Sequence, residues 1–280
     1  MLVAAGAIAV LDLAATRLYL GRIRALVEEN PATTSYMERA TRSGRGPRTW
    51  QWTPLDSIPR VAACAVVFSE DRNFFRIGTL DWVSQKAMFR RVIGGDLSRG
   101  SSGIAQQLAR NLYLGPQRTP RRKAREYLLA WQLSHTLTKA RQLEIYLNVV
   151  EWGNGIWGIG DASRHYFGVE PAELRLSQSV MLASLLPAPR RGLERTTSEF
   201  VADRMDVTAW MLTRALLVDD LTYRATTERL AGLRTGMRAG LTPAHAMARV
   251  DSIMGPEPRA FALNGADTVS LRDACHYMRR

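Results

Sequence analysis

The chain reads as an all-α protein with one main domain and a smaller C-terminal helical extension, and three observations predict this. Apolar residues recur at helical spacing: Ile104, Leu108 and Leu112 at i, i+4, i+8, and Leu143, Tyr146, Leu147 and Val150 at i, i+3, i+4, i+7. Strand signals are weak throughout. The 280 residues are 46% hydrophobic and 23% charged, ample apolar material for a core and unlike a disordered tail. Glycine and proline sit near average and no fixed-period repeat is visible, which excludes collagen-like, linker-dominated and solenoid architectures.

From the N-terminus, the chain is apolar from Met1 to Leu11, meets Asp12, continues through Leu13 to Ala15 and reaches Arg17. A spanning helix wants roughly 20 predominantly apolar residues, so this short run reads as a membrane anchor or its remnant, with an amphipathic or uncleaved signal-like segment as the alternative. No basic leader or small-residue cleavage site marks a removable signal peptide. Arg17, Arg22 and Arg24 flank the run on its C-terminal side, and the positive-inside rule then puts the body of the protein in the cytoplasm. Residues 30–60 collect Gly, Pro, Ser and Thr, with Pro47, Pro54 and Pro59 breaking any helix, and form a connector onto the next domain. From about Pro59 to Pro189 the pattern is mostly helical, and GNGIWGIGDASRHYFG, Gly153 to Gly168, supplies turns followed by a short helix. Helical patterns resume from about Ser198 to Leu233 and again behind Thr242-Pro243, an N-cap followed by proline at the first helical position. The resulting division is an anchor segment over 1–28, the main domain over 29–191, and an extension over 192–280 to which no chemistry is assigned.

Lys and Arg number 38 against 26 Asp and Glu, a net charge of +12, so the expected partner is anionic: nucleic acid, anionic lipid or a phosphorylated substrate. Two cysteines, Cys64 and Cys275, are too few for a disulfide scaffold. The four histidines do not join them at metal-ligand spacing beyond the adjacent Cys275-His276, so no structural zinc site is expected. Cys64 reads as a small buried hydrophobe, and Cys275 is left without a role.

Three segments bear chemistry. Glu70-Asp71 follows the apolar run VAACAVVF and precedes Phe74-Phe75. Apolar surroundings raise a carboxyl pKa toward that of a usable general base or acid, although an ordinary acid at a helix end has the same sequence. In RGSSGIAQQLARNLYL, small residues lead into a helix presenting Gln106, Gln107 and Arg110 away from its apolar stripe, suited to meeting an anion. A Ser-capped helix with a polar outside explains it equally. In QRTPRRKARE, Arg118, Arg121, Arg122, Lys123 and Arg125 crowd ahead of Glu126, a density that suits a diphosphate. Surface ion pairing to Glu126 is the plainer account, worth about 0.2–0.5 kcal/mol per pair. Nucleic acid fits less well, because no aromatic residues interleave the cluster. Together, two separated glutamates, a basic cluster and a membrane-proximal helix suggest group transfer from an anionic lipid-linked donor.

SEDRNFF, RGSSGIAQQLARNLY, RRKARE and KARQLEIYLNVVEWG stand in the order and at roughly the separations seen in the peptidoglycan transglycosylases, family 51 of the glycosyltransferases. With EWGNGIWGIGDASRHYFGVEPAEL and LLPAPRR, the chain most resembles the monofunctional biosynthetic members, from about Asn30 to Arg191 and, more faintly, over helices up to about Leu233. The resemblance implies a lysozyme-like helical fold that polymerises lipid II at the outer face of the bacterial cytoplasmic membrane, with a single-pass anchor. It implies Glu70 as general base for the acceptor 4-hydroxyl, and Glu126 at the departing diphosphate. Asp71, Phe74, Ser102, Gln106, Gln107, Arg110, Arg118, Arg122 and Lys123 are implied as substrate-binding. Lys139, Glu144, Tyr146 and Asn148 fall on a further motif that reads as mainly structural.

Implied partners are lipid II, the nascent glycan strand, the membrane and cell-wall synthesis proteins, with no nucleic acid. A divalent cation, Mg or Mn, is compatible with the chemistry and no organic cofactor is expected. An α-linked diphosphate is already a good leaving group, so charge neutralisation matters more than a strong acid. The chain ends too soon for a transpeptidase domain, and an N-terminus reaching upstream of Met1 with added basic residues would reconcile the charge rule with an outside catalytic domain. Several positions depart from the family pattern. Ile77 and Thr79 replace the usual His and Gly, while Gly78 is adjacent and Asp81 keeps its place. Gly103 and Ala105 replace two threonines, Arg110 a lysine, and Gln142 and Gln178 other residues. Both glutamates are retained, which favours a working enzyme over the alternative of a degenerate, membrane-associated scaffold. A lysozyme-like hydrolase would have no diphosphate to expel and no need of the basic cluster.

Overall fold

The computed structural model describes residues 18–47, 49–76, 102–117, 119–191, 198–215, 218–258 and 275. Helix α1 (Leu20–Ala25) and helix α2 (Ser35–Arg42) come first, the second started by Thr34, whose hydroxyl accepts the Met37 N–H at 3.1 Å. Ile23 and Leu26 are buried in the core, so the described part of the segment expected to be an anchor packs on the protein. The most apolar part of that segment, 1–17, lies outside the described residues, and among the described residues no helix is long and apolar enough to cross a membrane. The expected anchor therefore has no support in the structure.

Helix α3 (Arg60–Glu70) follows Pro59. Next come α4 (Ile104–Tyr113), α5 (Pro120–Thr136) and α6 (Lys139–Val149), then a hairpin of β1 (Glu151–Gly153) and β2 (Ile156–Trp157), and then α7 (Gly158–Phe167) and α8 (Leu176–Leu185). The C-terminal helices are α9 (Glu199–Arg214), α10 (Asp220–Arg238) and α11 (Pro243–Met254). Both apolar stripes read from the sequence face the core, and Thr119, Thr138, Ser198, Asp219 and Thr242 each cap a helix by accepting a backbone N–H three residues on. Pro120 and Pro243 occupy first-turn positions, where a missing N–H costs nothing. The all-α expectation holds apart from the hairpin, in which Glu151 pairs with Trp157 and Gly153 with Ile156. Gly155 and Gly158, at φ +77° and +79°, allow the turn and the entry to α7.

Helix α3 is apolar all round from Val61 to Phe68 and buried all round. Such a helix must be surrounded, and α8, buried along its whole length, packs on it together with α9. The C-terminal helices thus share the main core. Asp251 of α11 pairs with Arg175 at 2.6 Å and with Arg229 of α10 at 2.8 Å. Glu257 accepts the Ser177 N–H at 3.0 Å, together with the Ser177 hydroxyl, at the start of α8. One expectation is corrected outright: Cys64 is buried, but as half of a disulfide with Cys275, 211 residues away. No local spacing signals a bond between residues so far apart.

Candidate active site

Glu70 is the last residue of the buried helix α3, and its side chain is only 8% exposed. Burial pushes its carboxyl pKa up. A hydrogen bond from Gln107 and the charges of Arg204 and Arg110 oppose the shift, and Asp71 adds to it. Gln107 Nε2 donates to Glu70 Oε2 at 2.9 Å and also to the Ser102 carbonyl at 2.9 Å. The Tyr146 hydroxyl donates to Gln107 Oε1 at 3.0 Å, which fixes the amide with its nitrogen toward Glu70. Tyr146 is fully buried and its phenol pKa is pushed well up, so it remains a donor. Tyr146 is therefore part of the site as well as of the α6 stripe.

Asp71 caps α4. Its Oδ2 accepts the Ile104 N–H at 3.0 Å, at a helix start whose N-cap residue, Gly103, has no side chain. A Cβ at position 103 would overlap that carboxylate oxygen. Phe74 is 2% exposed in the core, and Lys139 Nζ stands 4.6 Å from its ring centroid. It supports the site from the core side and carries a cation there.

The second glutamate lies on α5. Glu126 is fully buried and paired with Arg122 at i−4 and Lys123 at i−3. The surface pairing considered from the sequence has the right partners in the wrong environment. Burial lowers the Lys123 pKa while Glu126 raises it again, and Lys123 Nζ also donates to Ser102 Oγ at 2.8 Å and Gln106 Oε1 at 3.3 Å. Ser102 Oγ in turn donates to Glu126 Oε1 at 3.4 Å. One hydrogen-bonded line therefore runs from Glu70 through Gln107, Ser102 and Lys123 to Glu126. Arg110 acts electrostatically on both Glu70 and Lys123. Among the described residues, the Nε atoms of Arg110 and Arg122 are buried without a hydrogen-bond partner.

Of the residues expected at the site, Glu70, Asp71, Ser102, Gln106, Gln107, Arg110, Arg122, Lys123 and Glu126 are joined in this network or act on its charges, and Arg118 lies outside the described residues. Sequence reasoning missed Arg204 of α9. Its Nη2 donates to Glu70 Oε1 at 3.0 Å, to the Ser69 carbonyl at 2.9 Å and to the Ser69 hydroxyl at 2.6 Å. A signal was present. Arg204 stands three residues after Val201 and four before Thr208, both buried, so it sits on a core-facing stripe where a cation needs a partner. As for a resident metal, among the described residues no group of three His, Cys, Asp or Glu side chains could hold one. Glu70, Asp71 and Glu126 already serve Arg204, the α4 N-terminus and two cations, so this donor set does not fit a protein-held divalent cation.

The helices thus bring together one buried carboxylate of raised pKa and a second paired with two cations. The profile of the transglycosylase family matches residues 38–212, and the chain belongs to that family. It is 37% identical over 201 residues to a biosynthetic peptidoglycan transglycosylase of Alcanivorax borkumensis, covering 71% of this chain and 80% of the relative. Similar relatives of the same description come from Bordetella avium, 38% identical over 176 residues (61% of this chain, 72% of the relative), and Paraburkholderia xenovorans, 36% over 219 (76% and 91%). Membership of that family makes the chain a glycosyltransferase.

Proposed function

We propose that the chain polymerises lipid II, with Glu70 as the general base and Glu126, Arg122, Lys123 and Arg110 serving the diphosphate. The oxygen of the acceptor 4-hydroxyl attacks the donor anomeric carbon and its proton passes to Glu70. The bond from that carbon to the diphosphate breaks, and undecaprenyl diphosphate leaves with the electron pair. Attack and departure on opposite faces invert the anomeric configuration. Gln107 and Arg204 occupy only part of the lone-pair capacity of the Glu70 carboxylate, leaving room for the incoming proton. On the other side, a buried glutamate holds two cations in place as the leaving group gains charge. The observation that carries the reading is the hydrogen-bonded line connecting the two glutamates, since it sets a base and a cation cluster in fixed relation. Action outside the cytoplasmic membrane is part of the proposal. Its support is the Cys64–Cys275 disulfide, which belongs to an oxidising compartment and argues against the cytoplasmic placement drawn from the arginine flank.

The test is glycan polymerisation from labelled lipid II in detergent by wild type, Glu70→Gln and Glu126→Gln. Wild type should make polymer, and Glu70→Gln should reduce the rate by at least about 100-fold, the usual worth of a general base. A folded wild type that binds lipid II and makes no polymer would leave the scaffold role instead.

A further inference from the structure

We propose that Arg204 is the positioning residue for the general base. It holds the end of α3 and the Glu70 carboxylate as one unit, so that the C-terminal helix α9 completes an active site otherwise built from residues 70–146. This inference rests on the reading of Glu70 as the base.

The last carbonyls of an α-helix have no partner within the helix, and its C-terminus carries partial negative charge. The Ser69 carbonyl belongs to that last turn, and Arg204 donates to it at 2.9 Å. The same nitrogen reaches Glu70 Oε1 at 3.0 Å and the Ser69 hydroxyl at 2.6 Å. That hydroxyl passes the restraint on by donating to the Ala183 carbonyl of α8 at 3.0 Å. One guanidinium therefore binds the helix end and the carboxylate together. Gln107 holds the other oxygen, Oε2, and is itself held by Tyr146. A carboxylate engaged at both oxygens from two different helices cannot swing about its last torsion, and the lone pairs that remain have fixed directions.

The charges facing Glu70 explain why a cation is needed there. Arg204 comes from α9, Arg110 with neutral Gln107 from α4, Asp71 from the next position in the chain, and Tyr146, protonated, from α6. Next to Glu70, α8 offers only the neutral Ala183 carbonyl held by Ser69. Removal of Arg204 leaves a buried carboxylate beside a helix C-terminus and Asp71, with Arg110 as its remaining cation. The proton is then held to higher pH.

The experiment is the pH dependence of lipid II polymerisation for wild type, Arg204→Gln and Arg204→Lys, with Glu70→Gln as the reference and thermal unfolding recorded for each. The acid limb of kcat/KM for Arg204→Gln should move up by about one pH unit or more, as loss of a neighbouring opposite charge does. At pH 7, kcat should fall about tenfold or more with KM within about twofold. Arg204→Lys retains the charge and should keep the acid limb near wild type, while losing rate because an ammonium cannot span the same acceptors. An Arg204→Gln enzyme whose acid limb stays in place, with only its melting temperature lowered, overturns the proposal. If Arg204→Gln does not fold, the decision passes to Arg204→Lys, for which wild-type kcat and pH profile would overturn it. Should Glu70→Gln itself remain active, the reading of the base fails. Should Glu70→Gln be dead while the Arg204 variants behave as wild type, only the role of Arg204 fails.

Discussion

Loss of the bond between Cys64 and Cys275 should lower stability by an amount set by the length of chain it closes. With the two cysteines 211 positions apart, the chain-entropy relation gives about 5 kcal/mol at 25 °C, and native disulfides cost about 2–5 kcal/mol to remove in practice. At about 2–4 °C per kcal/mol for a protein somewhat smaller than this one, the melting temperature should drop by roughly 5–15 °C. Cys275→Ala is the cleaner variant, because both cysteines are buried and serine would bury a hydroxyl without an assigned partner. The assay is thermal unfolding by circular dichroism with and without a reductant, beside a thiol count on denatured, unreduced protein. Wild type should show no free thiols and lose stability on reduction, and the variant should ignore the reductant. Two free thiols in protein recovered from an oxidising compartment would refute the pairing. No free thiols with an unchanged melting temperature would refute the energetic reasoning while sparing the bond.

Two further outcomes follow from the site. Gly103→Ala should lower stability by about 0.5–2 kcal/mol, the worth of a helix cap, because its Cβ drives the Asp71 carboxylate off the Ile104 N–H; a melting temperature and polymerisation rate equal to wild type would contradict that. The wild-type polymerisation rate should fall on acidification with an apparent pKa above that of an ordinary glutamate. Burial raises the pKa of Glu70 and the ionised form is the active one, so the inactive protonated form persists to higher pH than in water; a limb at or below the ordinary value would mean that Arg204, Arg110 and Gln107 outweigh burial.

What could be read from the sequence was what is local. The Ile104 and Leu143 stripes and the Thr242-Pro243 start depend on neighbours within one or two turns, and each is found where the pattern puts it. The pairing of Arg122 with Glu126 is likewise local, but its burial is decided by α4, packed over the start of α5, and no spacing within RRKARE reveals it. The Gly103 departure could only be read as a lost hydroxyl until Asp71, 32 positions earlier, was seen in the place a side chain would take. Arg204 meets Glu70 across 134 positions and Cys64 meets Cys275 across 211. Such contacts leave no periodic trace, only the mild oddity of a cation on an apolar stripe.

Those long-range contacts converge on one helix, and that gives the C-terminal segment its physical meaning. A general base is useful only while its carboxylate is held within about 0.5 Å of the productive position. Helix α3 cannot do this alone, since Glu70 is its final residue and helix ends fray. Cys275 fixes α3 at Cys64 in its first half, Arg204 fixes its last turn, and α8 lies along it with its own first turn capped by Glu257. Two of these ties, from Cys275 and Arg204, come from residues beyond 198 and act at different points along the helix, and Glu257 reaches it only through α8. If Glu70 is the base, residues beyond 198 help to hold the helix that ends in it, and variants that loosen them should lower kcat well before the molecule unfolds.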